Sequence, residues 1–296
     1  MSALFCTVLA TTMNSGAAFA DGGASMYRFP DVSDSDIVFV YANDLWTVPI
    51  EGGTALPLAS PPGVESMPRF SPDGDRVAFV GNYEGNRDLY VLPVDGGMPH
   101  RVTHHPAGER LSDWSPDGDL LYSAGGMGGV PRAARVYRVD AEGGLPTPLP
   151  MPYGANAAIH EDGEWVAYTP IERDGRTWKR YRGGMASDIW LVNLKTGESR
   201  RVTDWEGTDS FPMWHGDDLY YLSDGGDEHR LNLWKYDLED GDRTQLTRFA
   251  DYDIKWPAIG PEDGSARIVF QNGPSIWLYD ARTNASSPVE IGRAHV

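Results

Sequence analysis

A short pattern recurs along this chain, a polar residue followed by an aliphatic and then an aromatic one, and its spacing constrains the fold more than any other feature. It reads Asp44-Leu45-Trp46, Asp88-Leu89-Tyr90, Arg135-Val136-Tyr137, Asp188-Ile189-Trp190, Asn232-Leu233-Trp234 and Ser275-Ile276-Trp277. The aromatic positions stand 44, 47, 53, 44 and 43 residues apart. A period in the forties whose unit holds four short strands is the mark of a β-propeller blade.

The unit is clearest over 67–103. A first strand over 67–70 closes on Ser71-Pro72-Asp73-Gly74, where proline presets φ and glycine supplies the positive φ of a tight turn. The second strand, over 76–80, is rich in residues that suit a pleated surface. The third covers 88–92, Asp95-Gly96-Gly97 turns the chain back, and the fourth covers 100–103. Related fourth strands end in Arg201-Val202-Thr203 and Gln245-Leu246-Thr247.

The sequence therefore predicts an all-β, six-bladed β-propeller with four antiparallel strands per blade over residues 21–291. The blades cover about 26–60, 67–103, 111–150, 156–203, 211–247 and 254–291. One such sheet hides neither face, whereas a ring of them buries a continuous layer of aromatic and aliphatic side chains. Trp46, Trp190, Trp234 and Trp277 are assigned to that packing. Each unit runs from a first to a fourth strand, so the ring is expected to lack strand-swapped closure. Side chains of blades 1 and 6 then close it, and those edges open first.

The chain carries 25 basic against 43 acidic side chains, a net charge of −18. That excludes the basic footprint of a nucleic-acid partner and serves solubility. Residues 1–20 are small and apolar and end in Ala18-Phe19-Ala20, the form of a signal-peptidase site, although no basic segment precedes them. The expectation is export to the periplasm or medium, with a cytoplasmic location as the alternative. Cys6, the single cysteine, lies in that segment, so no disulfide or cysteine-based metal site is expected in the rest. No later apolar run is long enough to span a membrane.

Chemical motifs are sparse. The sequence has no G-x-S-x-G, H-E-x-x-H, P-loop or dinucleotide fingerprint. Accordingly, no catalytic residue, metal or cofactor is assigned. His104-His105 and the acidic run Asp224-Gly225-Gly226-Asp227-Glu228-His229 lack ligand spacing, and the run reads as a solvated hairpin loop. Two insertions stand out instead. Gly108-Glu109-Arg110 precedes the third unit's first strand, and residues 171–187 separate the second and third strands of the fourth unit. The latter holds Arg176, Lys179, Arg180 and Arg182 interleaved with Trp178 and Tyr181. Trp178, Lys179, Arg180, Tyr181 and Arg182 suit a carboxylate, a peptide backbone or an acidic partner surface. They equally suit docking within the protein.

These segments, Thr177-Trp178-Lys179-Arg180-Tyr181-Arg182-Gly183-Gly184 and the stretches 210–224 and 250–257, resemble the N-terminal six-bladed propeller of the tricorn protease family, specifically its exported bacterial members. The resemblance covers about 26–291. It implies a part of a large serine peptidase whose second propeller, PDZ-like domain and catalytic domain lie elsewhere. It further implies oligopeptide substrates, contacts with the remaining domains or other subunits, homo-oligomerisation, and a role as peptide channel, gate and assembly module. Family members hold the peptide's terminal carboxylate with two adjacent arginines in a loop before a first strand. The similar place here is Glu109-Arg110, which leaves Arg110 as the implied anchor. Residues 292–296 are not blade-like and read as a truncation point. The alternative is a stand-alone periplasmic binding propeller resembling TolB.

Overall fold

The computed structural model of the chain describes residues 26–126, 134–172, 174–175, 180–261 and 264–292. Alternating apolar and polar residues between glycine-rich turns produce six four-stranded antiparallel sheets, each drawn from one sequence repeat. Their innermost strands are Arg28–Val32, Glu65–Phe70, Glu109–Trp114, Ala157–Ile159, Asp209–His215 and Ile254–Ile259. Six buried clusters each straddle two neighbouring blades. One joins Val38, Val40 and Leu45 of blade 1 to Val77, Phe79 and Leu92 of blade 2. The last joins Ile37, Phe39 and Val48 of blade 1 to Ala258, Val269 and Ile276 of blade 6, which closes the ring. Trp46, Trp190, Trp234 and Trp277 pack against four different clusters, as their place in the repeat predicts.

Two details depart from the sequence reading. Three inner strands begin two residues upstream of their expected starts, at Glu65, Glu109 and Asp209, and in the four inner strands that contain a proline a bulge accommodates it. Register shifts fall between Arg28 and Asp31, Ser66 and Arg69, Ser210 and Met213, and Lys255 and Ala258. The second departure is at the ring's seam. Ile291–Gly292 runs parallel to Gly53–Thr54, pairing Ile291 with Gly53 and Gly292 with Thr54. Gly53 N donates to Glu290 O at 2.8 Å. Closure thus combines side-chain packing with a two-residue backbone stitch outside the four-stranded sheets.

The recurring fourth-strand threonine has a structural task. Thr103, Thr203 and Thr247 each accept, on Oγ1, the main-chain N–H of the aliphatic residue in the third-strand pattern, at 2.9, 3.0 and 2.9 Å. Two residues earlier, Arg101 and Arg201 reach back to Asp88 and Asp188 at 2.8 and 3.0 Å. In blade 5 Gln245 stands in place of the arginine and Asn232 in place of the aspartate; Gln245 Nε2 donates to Thr247 O at 2.9 Å and to Glu228 Oε2 at 2.8 Å, and Asn232 Oδ1 accepts from Thr247 Oγ1 at 2.9 Å.

Candidate functional site

The inner strands surround a central channel, and its chemistry changes along the axis. At the narrowest level four inner strands share one local sequence, an apolar residue followed by proline: Phe29-Pro30, Met67-Pro68, Phe211-Pro212 and Trp256-Pro257. The apolar residue of each pair has positive φ, at 49°, 53°, 53° and 52°. This region is unfavourable for a residue with a Cβ, and a following proline disfavours helical backbone further. The bulges hold these residues there, and all four line a cavity of only about 40 Å³. Trp256 is the hub of the belt, with ring centroids 4.5 Å from Phe29 and 5.9 Å from Phe211.

Blades 3 and 4 complete the same level with polar groups. Arg110 sits over the Trp256 ring, its guanidinium carbon 5.4 Å from the centroid. Its Nη2 lies 3.2 Å from Asp174 Oδ2 and its Nη1 3.6 Å from Glu172 Oε1. Asn156 Nδ2 donates to the same Asp174 oxygen at 2.7 Å. Glu172 and Asp174 belong to the fourth-unit insertion, so that insertion reaches the belt and neutralises part of the charge of Arg110.

Below the belt lies a charged layer. Asp31 Oδ2 accepts from Phe70 N at 2.6 Å, and Arg69 Nε donates to Ser112 O at 3.1 Å. Burial pushes the Asp31 carboxyl up to about 7 despite the opposing field of Arg69. Burial likewise raises Asp113, again against Arg69. The channel then widens, on the side of the Ser-Pro-Asp-Gly turns, into a funnel of about 460 Å³. Asp31, Asp34, Asp73, Asp75, Asp113 and Glu161 line it, and no lysine, arginine or histidine does among the described residues. The funnel is therefore acidic, while the belt carries the Arg110 guanidinium.

The expected site residues separate into three groups. Arg110 is at the channel, but within the strand Glu109–Trp114 and not in a loop ahead of it, because the third inner strand also starts early. Arg182 docks on blade 5, its Nη1 3.4 Å from Asp224 Oδ1 and its guanidinium 4.6 Å from the Trp205 ring. Arg180 is exposed with φ of 54°, and Tyr181 is half-buried beside it. Trp178 and Lys179 lie outside the described residues.

Asp224 corrects the reading of its loop as solvated. It is 5% exposed and accepts from Trp205 Nε1 at 2.7 Å and Thr208 N at 2.9 Å. A side chain at Gly207 would collide with Arg182, Asp224 and Trp205, so the docking of Arg182 requires that glycine. Asp31, Asn156, Asp174 and Trp256 were absent from the sequence-predicted site. The recurrence of apolar-Pro at one position of four repeats was the legible signal for the belt.

Comparison with known proteins follows the same outline. The tricorn protease N-terminal beta propeller domain matches residues 24–285. Tricorn protease homolog 1 of Streptomyces coelicolor is 32% identical over 277 residues, covering 91% of this chain and 25% of that protein. The tricorn protease of Thermoplasma acidophilum is 28% identical over 273 residues, covering 89% and 25%. The crystal structure of the tricorn protease superposes with a TM-score of 0.79 at 25% identity, covering 92% of this chain and 27% of that one. TolB from Acinetobacter baumannii, at 19% identity and a TM-score of 0.61 over 79% of this chain and 57% of that one, shares the fold. The chain thus spans about a quarter of the length of the tricorn relatives it matches.

Proposed function

The chain belongs to the tricorn protease N-terminal β-propeller family, and from that premise we propose that it is the peptide-handling propeller of a larger, exported serine peptidase. In this reading the channel admits oligopeptides end-on, the aromatic belt is its gate, and Arg110 at that belt binds the terminal carboxylate. The reaction itself belongs to catalytic parts not carried by these residues. The outer surfaces of the ring serve contacts with those parts and with further copies of the protein.

The observation that supports this most is the state of Arg110. Its guanidinium stands at the belt, stacked on Trp256 and paired with Asp174 and Glu172. Those carboxylates occupy the positions a peptide carboxylate would take, and bidentate guanidinium–carboxylate pairing is the strong form of this contact. Titration of the chain with N-acetylated tetrapeptides, bearing either a free or an amidated C-terminus, tests the reading. The free acids are expected to bind about tenfold more tightly, an advantage that Arg110→Ala abolishes. Equal affinity of the two peptide forms would overturn it.

A further inference from the structure

In three blades the inner strand opens on an acid: Glu65, Glu109 and Asp209. All three are buried, at 1%, 2% and 0% exposure. Each donates its main-chain N–H across a blade junction, to Asn43 O, Arg87 O and Ser187 O at 2.9, 3.1 and 2.8 Å. The residue after each of those carbonyls is the polar residue of the recurring third-strand pattern, and every time it is an aspartate: Asp44, Asp88 and Asp188. Blade 6 makes the same contact, Ile254 N to Leu231 O at 2.8 Å. There an apolar residue replaces the acid, and Asn232 replaces the aspartate. Acid therefore meets acid between blades 1 and 2, 2 and 3, and 4 and 5, and an uncharged pair takes the same positions between blades 5 and 6.

The inner-strand acids are short of donors. Neither oxygen of Glu65, Oε1 of Glu109 nor Oδ1 of Asp209 has a hydrogen-bond partner among the described residues. Oε2 of Glu109 accepts from Thr103 Oγ1, and Oδ2 of Asp209 lies 3.4 Å from Arg243 Nη2. Asp44 and Tyr83 face Glu65. Asp88, Arg101 and Tyr122 face Glu109, and Asp188, Arg243 and Tyr221 face Asp209. A neutral carboxyl tolerates such a site, whereas a carboxylate there has lost its water, lacks donors and stands beside a second carboxyl group. Burial accordingly pushes Glu65 and Glu109 up to about 7 and Asp209 up to about 6, and the neighbouring aspartate adds to each rise.

We propose that these three junctions form a pH-sensitive switch, closed while the inner-strand acid keeps its proton and loosened when that acid ionises beside the aspartate of the preceding blade. A closed junction holds the proton more tightly than an open one, where water restores the ordinary values of 4.5 and 3.8. Closure is thus favoured most below those values and weakens as pH rises through 6 to 7. Two residues beyond each acid the strand carries Met67, Leu111 or Phe211 into the belt, so the switch lies at the wall of the channel.

Hydrogen exchange of the 296-residue chain at about pH 5.5 and about pH 8, corrected for intrinsic rates, tests the switch. On going to the higher pH, the amides of Glu65, Glu109 and Asp209 are expected to lose about tenfold more protection than those of Ile254 and Gly53. Ile254 marks the junction with the uncharged pair, and Gly53 marks the seam between blades 6 and 1. Glu65→Gln and Asp209→Asn are each expected to remove the extra loss at the substituted position and to leave it at the other acid junctions. Equal loss at all five amides would mean a uniform destabilisation and overturn the switch. An extra loss at position 65 that survives in Glu65→Gln would overturn it as well. The comparison among wild-type amides decides the matter even where a variant fails to fold.

Discussion

Arg110 of blade 3 and Trp256 of blade 6 meet across the channel, guanidinium carbon 5.4 Å from ring centroid, and so join opposite sides of the ring at its narrowest level. A cation stacked on an indole contributes about 0.5–2 kcal/mol, more as water is excluded. A double-mutant cycle with Arg110→Ala and Trp256→Ala should accordingly return a coupling of about 0.5–1 kcal/mol in urea unfolding. Strict additivity of the two substitutions would show that the contact carries no energy.

The clasp inside the blades makes a sharper comparison. Thr203 is 1% exposed and its Oγ1 accepts the buried Ile189 N–H at 3.0 Å. Thr203→Val keeps the shape and orphans that donor, at an expected cost of about 1–3 kcal/mol. Arg201→Gln copies the residue that blade 5 uses at this position, and the Arg201–Asp188 pair is partly solvated, so the change should cost under about 1 kcal/mol. Equal losses for the two variants would contradict this division of roles.

Stability should fall between about pH 5 and pH 8. Burial pushes Glu65, Glu109 and Asp31 up to about 7 and Asp209 up to about 6, above their ordinary values of 4.5 and 3.8. The folded state therefore holds these protons more tightly than the unfolded one. Its advantage is complete below the unfolded values and is lost as pH rises through 6 to 7. Glu65→Gln removes one such group, so its Tm should exceed that of the wild type at pH 8 and match it near pH 4.5. A domain of this size gains about 2–4 °C per kcal/mol. A variant Tm that lies parallel to the wild type at every pH would refute the assignment to Glu65.

At the seam, Gly52 has φ of +86°, and a Cβ there would lie 2.6 Å from Glu290 O. Gly52→Ala should break the stitch and cost about 1–3 kcal/mol. Hydrogen exchange should then accelerate first at the Gly53 amide, which donates to Glu290 O at 2.8 Å. Unchanged protection at Gly53 would mean that the stitch does not hold the ring.

The period of the third-strand pattern made the ring legible before any coordinates, because six copies of one burial problem admit few solutions. The belt was harder to read. Proline in a strand signals an edge or an end from sequence alone, and only the bulges show that Phe29, Met67, Phe211 and Trp256 turn into the channel. Arg110 was legible as a cation in the right neighbourhood, and its partners Asp174 and Asn156 were not. They come from blade 4, more than forty residues along the chain, and depend on an insertion whose path no periodicity encodes. The acceptor role of Asp224 escaped for a related reason, since an acidic run after a strand looks solvated until Trp205 and Arg182 are placed on it.

The belt also has an asymmetry with a consequence for any guest. Blades 1, 2, 5 and 6 present apolar residues at the narrow level, while blades 3 and 4 present Arg110 and Asn156. Six equal blades would offer an entering molecule six equivalent rotational poses about the axis. With an apolar residue from four blades and a polar one from the other two, that rotational degeneracy is removed. A peptide held here has a defined azimuth as well as a defined direction, and its successive side chains meet a different blade at each step.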